Sequence, residues 1–509
     1  FLYFKMCLIL GSFREMSYLC SRIYPNLLNY RQMEKRLRIL LALCGLLILT
    51  SCGEILDALI DDPVPSTPGY SESVSTPDSV YVAAANQPNA TYFMPAPPNK
   101  GEADFIDDEI QWKWGQNMRI YDRGKTAREH MGRTPKTMAK IMAKVLGLST
   151  ISKEQTPALE RLLHRAFRTG QQSCNTAKVK YNRQRPFVMM GESAWYADDA
   201  QDATGSFTSA TTAAGWAVGL VFAEMWPPMQ NDILKSAFKF GEDRVVSGSN
   251  FQSDVEGGYL CGAASIAIAH TNPQLERDIT DAREEYKQLK GLASSYNPVA
   301  GIGSPEAVKI LNSPVKTTDP RYEADLKRYE YAKTFRETAR GTQAVQDAES
   351  STDRMALIFG EVMGINISVT NTPAIYTLIQ NIRYKSVDMV NQIKWVYFRA
   401  RPYVQLHEST PVPGKENTYK DNSSYPSGHA CFGWSVALAL AEVAPARQNQ
   451  ILNRAWHFGY NRVIVGYHWP TDVDAGRLIA ASLIAHMHTD SEFANHIKQA
   501  QAEYQKLAK

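Results

Sequence analysis

Six side chains between residues 394 and 472 have the types and spacing that phosphate chemistry requires. They comprise three cations, two imidazoles and one carboxylate: Lys394, Arg401, Arg462, His429, His468 and Asp472. A phosphate ester is negatively charged, and the charge on its transferring oxygens must be neutralised in the transition state. Lysine and arginine can do this, and a guanidinium matches phosphate oxygens in a bidentate manner. The set is therefore typical of an enzyme that removes a phosphoryl group.

A further phosphate contact is predicted at Ser427 and Gly428. These residues precede an apolar run, Ala430 to Ala444, that indicates a helix. Their backbone N–H groups would then lie at a helix N-terminus, which favours anions. Because glycine has no Cβ, a ligand can approach the backbone closely at Gly428.

The two histidines can supply the nucleophile and the general acid of the reaction. One must attack phosphorus as a neutral imidazole, and the other must protonate the departing alkoxide. Asp472 lies four residues beyond His468, which is one turn if the segment is helical. We expect its carboxylate to hold the ring of His468 in the correct tautomer and to stabilise the cation formed on attack.

These residues form three motifs, K-x6-R-P at 394–402, P-S-G-H at 426–429 and R-x5-H-x3-D at 462–472. The motifs resemble the signature of the type 2 phosphatidic acid phosphatase and vanadium haloperoxidase superfamily. Neighbouring residues, including Gly433-Trp434 and Gly466-Tyr467-His468-Trp469, resemble more narrowly the bacterial class A non-specific acid phosphatases. One position departs from that family, because Asn461 stands where a serine is usual.

The resemblance implies a role for each site residue. His468 would be the nucleophile that forms a phosphohistidine, Asp472 would support it, and His429 would protonate the leaving group. Five groups would bind phosphate: Lys394, Arg401, Ser427, Gly428 and Arg462. The expected substrates are small phosphomonoesters, and vanadate is an expected inhibitor because it imitates the transition state.

From Tyr92 onward the sequence contains two related copies of one unit. Gly215-Trp216 matches Gly433-Trp434 at an offset of 218 residues, and Phe240-Gly241 matches Phe458-Gly459 at the same offset. Further upstream the offset falls to 216, which aligns Lys178, Arg185 and Pro186 with the first motif. We predict two copies at 92–290 and 318–509, joined by a linker at 291–317, and the family resemblance covers both copies nearly end to end.

The first copy lacks both imidazoles of the site. Thr211 stands at the position of His429, and Asn250 stands at the position of His468. Four charged residues persist at matched positions: Lys178, Arg185, Arg244 and Asp254. Since neither threonine nor asparagine can supply an imidazole, the first copy is predicted to be a degenerate, inactive domain. Its cations would be structural or would still hold an anion.

Both copies are predicted to be all-α. Ile375, Leu378, Ile379 and Ile382 recur at helical spacing, and no stretch of the sequence sustains the alternation expected of a strand. The expected architecture is two tandem helical bundles of the phosphatidic acid phosphatase and haloperoxidase type. The site would form where helix ends and loops converge.

The N-terminal part reads as an export segment. The chain begins with Phe1, and residues 1–32 are interpreted as an upstream region that is not part of the natural protein. From Met33, basic residues precede an apolar run from Ile39 to Leu49 that is shorter than the ~20 residues a membrane span needs. Leu49-Thr50-Ser51-Cys52 then resembles a lipobox.

Residues 33–52 are therefore predicted to be a lipoprotein signal peptide, with Cys52 lipidated, and the proline-rich residues 53–91 a flexible tether. The expected location is the periplasm or outer membrane of a Gram-negative bacterium. The protein would contact the membrane through its lipid anchor only.

Charge and composition bear on which partners and cofactors the protein uses. The chain has 55 basic and 52 acidic residues without a block of like charge, which argues against a nucleic-acid partner. No cluster has metal-ligand spacing, so neither a metal nor another cofactor is expected. Two alternatives remain, a vanadate-dependent haloperoxidase and a non-catalytic phosphate-binding lipoprotein. The copies are expected to pair within one chain, or the chain to form a homo-oligomer.

Overall fold

The computed structural model describes residues 79–196 and 204–507, which form helices with no β-strand among them. The predicted all-α class of two tandem helical domains is confirmed. The upstream region 1–32, the signal peptide 33–52 with Cys52, and residues 53–78 of the tether lie outside the described residues.

The first helices of the chain are α1 Ala90–Phe93, α2 Phe105–Met118, α3 Asp122–Glu129, α4 Pro135–Leu146, α5 Pro157–Gln172, α6 Asn175–Tyr181, α7 Pro186–Met189, α8 Ala210–Met225, α9 Gln230–Val246, α10 Gln252–Ala269 and α11 Pro273–Leu289. The linker and second copy contain α12 Ala307–Ile310, α13 Tyr322–Lys333, α14 Ala339–Gln346, α15 Thr352–Met363, α16 Pro373–Val396, α17 Pro402–Gln405, α18 Glu416–Tyr419, α19 Gly428–Val443, α20 Gln448–Ile464, α21 Pro470–Met487 and α22 Ser491–Leu507.

Each copy is built around one apolar helix, α8 in the first copy and α19 in the second. Both helices begin after a serine whose hydroxyl oxygen accepts from a first-turn amide, Ser209 from Thr212 N and Ser427 from Ala430 N. Residues 211–225 and 430–443 are buried without exception, as expected of helices that are apolar on all sides. In the second copy α19 packs against α16, α20 and α21.

The two copies pack against each other through matched helices. The contact of α10 with α19 is mirrored by that of α8 with α21, and α10 also contacts α21. His270 and His488, which are matched residues, stack on each other with ring centroids 3.5 Å apart. Each also lies 3.2 Å from a matched carboxylate, Glu224 or Glu442. The copies therefore form a pseudo-symmetric pair within one chain.

The predicted tether extends too far. Tyr81 and Val82 are buried, Tyr81 N donates to Thr169 Oγ1 at 2.9 Å, and the Tyr81 hydroxyl donates to Asp278 at 2.7 Å. Residues 79–91 thus belong to the packed fold, and the prediction of a flexible tether there is wrong. Part of the linker is packed as well, because Ala307 and Ile310 are fully buried, whereas residues 291–297 are exposed.

Among the helices of the described ranges, none has the combination of length and apolarity that crossing a membrane demands.

Candidate active site

The predicted site residues converge in the second copy, where several helices begin or end. Lys394 lies in the last turn of α16, Arg401 immediately precedes α17, and Ser427 immediately precedes α19. Arg462 lies in the last turn of α20, and Asp472 lies in the first turn of α21. His468 occupies the loop between α20 and α21.

His468 is held as a neutral imidazole. Its Nδ1–H donates to the carbonyl of Ser424 at 2.7 Å, and its Nε2 lies 3.2 Å from Arg401 Nη1. Nε2 is therefore the acceptor and carries a lone pair toward the cations. Burial, followed by the charges of Arg401, Lys394 and Arg462, lowers the pKa of His468 well below its usual value. The ring is in the form that a nucleophile needs.

Asp472 supports His468 in a different way from the one predicted. The Asp472 carboxylate lies 3.7 Å from His468 Nδ1, and the ring donates instead to Ser424. Asp472 accepts from the Ser424 hydroxyl and, at 2.8 Å, from Trp469 N. It thus fixes the residue whose carbonyl holds the ring, while its own carboxylate remains close to Nδ1.

Two residues that the sequence reasoning missed complete this support. Arg399 donates to Asp472 and to Asp325, each at 2.6 Å, and Asp325 also accepts from Thr471 N at 3.0 Å. All three charged groups are almost fully buried. The same triad recurs in the first copy: Arg183 donates to Asp108 at 2.6 Å and to Asp254 at 2.7 Å. Identity across the duplication was the signal that could have identified Arg399 and Asp325.

The three cations differ in how the protein holds them. Arg401 donates to the carbonyls of Tyr467 and Tyr419 at 2.9 and 3.0 Å, and Lys394 donates to the carbonyl of Ser423. Arg462 is 2% exposed, and its Nε and Nη1 have no hydrogen-bond partner among the described residues. Burial, followed by the charge of Arg401, lowers the pKa of Arg462 to about 10. Its guanidinium packs on the ring of Tyr467 at 4.9 Å. Because buried donors without a hydrogen-bond partner are unfavourable, this arrangement suits an anionic ligand.

His429 follows Gly428 in the first turn of α19. Its ring stacks on Phe458 at 5.7 Å, and its Nε2–H donates to the carbonyl of Ala348 at 3.2 Å. Loss of water from around the ring, followed by the charge of Arg462, lowers the pKa of His429 well below its usual value. A Cβ added at Gly428 would meet only Val390, at 3.7 Å, so the backbone there is accessible to a ligand.

The first copy keeps the framework of the site without its imidazoles. Asn250 Nδ2 donates to the carbonyl of Ser206 at 2.8 Å, the bond that His468 Nδ1 makes to Ser424. Arg244 donates to the carbonyls of His130 and Met131 at 2.7 and 3.3 Å.

The other retained groups of the first copy are also in contact with protein. Arg185 donates to the carbonyl of Ser249 at 2.9 Å, and Lys178 donates to that of Gly205. Asp254 pairs with Arg183 at 2.7 Å. Thr211 is buried at the start of α8.

Comparison with known proteins agrees with this duplicated site. A profile of the PAP2 superfamily matches residues 165–278 and 371–495. The non-specific acid phosphatase of Providencia stuartii is 34% identical over 205 residues, which are 40% of this chain and 83% of that protein. That of Salmonella typhimurium is 36% identical over 38% of this chain and 78% of its own, and the acid phosphatase of Zymomonas mobilis is 30% identical over 38% and 74%. The chain therefore belongs to the PAP2 superfamily, as a tandem duplication related to the bacterial non-specific acid phosphatases.

Proposed function

We propose that the protein is an acid phosphatase that hydrolyses phosphate monoesters through a phosphohistidine on His468. The observation that carries the proposal is a neutral, buried imidazole beside Arg401, in the same cluster as a buried arginine, Arg462, that keeps hydrogen-bond donors unused. His468 Nε2 lies 3.2 Å from Arg401, and Arg462 has two nitrogens without a hydrogen-bond partner in the described residues. The names of the relatives, non-specific acid phosphatase and acid phosphatase, support the same activity.

In the first step the phosphoryl group binds against Lys394, Arg401 and Arg462, with the first amides of α19 as further donors. His468 Nε2 attacks phosphorus, the ester P–O bond breaks, and its electron pair leaves with the alkoxide oxygen. His429 donates the proton that this oxygen takes up. The carbonyl of Ser424 stabilises the positive charge that develops on the imidazole, because it accepts from Nδ1–H.

In the second step a water molecule attacks the phosphorus of the phosphohistidine. The N–P bond breaks, its electron pair returns to Nε2, and His429 takes a proton from the water. Phosphate leaves and both histidines regain their starting forms. The ester thus consumes one water molecule per turnover and yields an alcohol and phosphate.

His429 must be protonated when substrate is bound, although its surroundings lower its pKa. A phosphate dianion beside the ring favours the imidazolium and raises that pKa. The substrate therefore supplies the charge that keeps the acid protonated. Because protein cations neutralise the phosphate, we infer that the reaction needs no metal or other cofactor, and that vanadate inhibits it.

We also propose that the protein is a lipoprotein of the periplasm or outer membrane of a Gram-negative bacterium, anchored through Cys52. The support is the basic and apolar sequence from Met33 that ends in Leu49-Thr50-Ser51-Cys52. Residues 53–78 would then connect the lipid to a packed body that begins by residue 79. Partition into the detergent phase that is lost in Cys52→Ala would support this, and partition unchanged in the variant would refute it.

The activity is tested with a panel of phosphomonoesters across pH, with and without vanadate and EDTA. We expect hydrolysis that vanadate inhibits and EDTA leaves unchanged. Bromide oxidation in the presence of vanadate would identify a haloperoxidase instead, and phosphate binding without turnover would identify a binding protein. Activity lost on chelation and restored by zinc or magnesium would refute metal independence.

A further inference from the structure

A short segment lies at or before the start of each copy. Each of these two segments packs on the other copy. We name residues 86–94 the first arm and residues 303–311 the second arm. The first arm contains α1, which lies on α6 of the first copy and then on α20 of the second. The second arm contains α12, which lies on α16 of the second copy and then on α9 of the first. The arms are therefore exchanged across the pseudo-symmetric pair.

Three polar side chains of α20 make hydrogen bonds to the first arm. Asn89 N donates to Asn449 Oδ1 at 2.8 Å, and Gln448 Nε2 donates to the carbonyl of Asn86 at 3.2 Å. Asn453 Nδ2 donates to the carbonyl of Tyr92 at 2.9 Å.

The second arm repeats these contacts on α9. Glu306 N donates to Asn231 Oδ1, and Gln230 Nε2 donates to the carbonyl of Gly303, both at 2.8 Å. Lys235 donates to the carbonyl of Ile310 at 2.8 Å. Asn231, Gln230 and Lys235 are the counterparts of the three α20 side chains at the offset of 218 residues. The exchange is thus a property of the duplicated unit and not of one loop.

The first arm reaches two of the helices that carry phosphate-binding groups, α19 and α20. Phe93 is fully buried and packs on Trp434 of α19, with ring centroids 6.3 Å apart. Three hydrogen bonds join this arm to α20, whose last turn carries Arg462. The arm therefore connects α20 to α19, at whose start Ser427 and Gly428 lie.

Each arm bonds to a helix whose last turn contains an arginine, and the two arginines differ in their hydrogen-bond partners. Arg244, at the end of α9, is fixed by the carbonyls of His130 and Met131. Arg462 packs on the ring of Tyr467 at 4.9 Å, but its Nε and Nη1 have no hydrogen-bond partner in the described residues, so its position depends more on the placement of α20. We propose that the first arm is a positioning element of the second copy, which holds α20 against α19 so that Arg462 and the start of α19 surround the phosphate. This inference rests on the proposed phosphatase site.

Matched variants of the full chain test the role of the first arm. Phe93→Ala removes the side chain that contacts α19, and Ile310→Ala removes its counterpart from the second arm. Both deletions create a cavity and should lower Tm. Inhibition by orthovanadate, measured well below either Tm, should weaken by about tenfold in Phe93→Ala and by less than about twofold in Ile310→Ala.

A second pair, Asn449→Ala and Asn231→Ala, removes one acceptor from each arm contact without deleting core volume. It keeps the test decisive where Phe93→Ala fails to fold, and we expect the same asymmetry in vanadate affinity. An active wild type whose matched variants lose vanadate affinity equally, or not at all, would overturn the inference alone. A wild type that neither hydrolyses phosphomonoesters nor binds vanadate would overturn the proposed function and the inference with it.

Discussion

Arg462 and Arg244 occupy matched positions at the ends of α20 and α9, yet their hydrogen-bond partners differ. Arg462 is buried with two nitrogens that have no partner in the described residues, whereas Arg244 donates through both terminal nitrogens to backbone carbonyls. A site that binds an anion must leave its cation available, at a cost in stability. The copy whose site has lost both imidazoles has its arginine bound to backbone carbonyls. The contrast distinguishes a group kept for a ligand from one kept for the fold.

A second contrast shows that the first copy has retained its structure. In the second copy Asn461 Nδ2 donates to Asp347 at 2.7 Å. In the first copy the carboxylate belongs to the other member of the pair. Asp243 lies at the position of Asn461, and His130 Nδ1 contacts it at 2.6 Å. Both contacts keep a polar pair at the same place in the fold. The pair also explains Asn461, which still donates a hydrogen bond where the family usually has serine.

The largest expected difference between the copies concerns the nucleophile. His468→Ala should lower kcat by about a thousandfold or more, because no other group in the second copy can form the covalent intermediate. Asn250→Ala removes the matched side chain of the first copy and should leave kcat within about twofold. Steady-state assays and trapping of the phosphoenzyme, with at most one phosphohistidine per chain, check both. Near wild-type turnover in His468→Ala would show that the assignment is wrong.

The buried triads offer the next comparison. Arg399→Lys and Arg183→Lys each disturb an arginine between two buried carboxylates, so both should lower Tm to a similar extent. Only Arg399→Lys should also lower kcat, by about 10- to 100-fold, since Arg399 acts on His468 through Asp472 and Ser424. Equal kcat in the two variants at equal Tm would mean that the triad supports the fold alone.

The two arginines should respond in opposite ways to methionine. Arg462→Met removes a buried cation with two unbonded nitrogens and keeps an apolar chain to pack on Tyr467. The free energy of unfolding should therefore rise or stay unchanged, while vanadate affinity falls by about tenfold or more. Arg244→Met leaves two buried carbonyls without donors and should destabilise the fold by about 1–3 kcal/mol with vanadate affinity unchanged. Denaturant titrations and vanadate inhibition measure the two effects. A marked loss of stability in Arg462→Met would contradict the distinction.

The smallest effect expected is a shift in the pH profile. Activity requires His468 neutral, and its lowered pKa places the acid limb of kcat/KM below about pH 6.5. Activity is lost at higher pH as His429 deprotonates. Because bound phosphate raises the pKa of His429, the basic limb of kcat should lie at higher pH than that of kcat/KM. Coincident basic limbs, or a basic limb that persists in His429→Ala, would exclude His429 as the acid.

The sequence was sufficient to predict the candidate site residues that lie in local motifs. Lys394, Arg401 and His429 were found because each lies in a short motif whose spacing a helix end or turn preserves. Arg399 and Asp325 were missed because their contact joins residues 74 positions apart. No local pattern encodes such a distance.

Two other features needed the folded chain. The spacing of Asp472 from His468 predicts contact along a helix, but the Asp472 carboxylate turns back to Trp469 N at the start of α21. The first arm, nine residues from Asn86 to Met94, has no apolar period of its own. Its burial depends on α20, which lies more than 350 residues further along the chain.

The packed linker has a consequence for how the protein behaves on dilution. Two separate chains that exchange arms would dissociate as their concentration fell, because pairing would obey mass action. Here residues 291–317 join the copies covalently, so their encounter is intramolecular and its effective concentration is fixed by the linker. The pairing, and the contact of Phe93 with Trp434 that it brings, should therefore persist at any concentration of the chain.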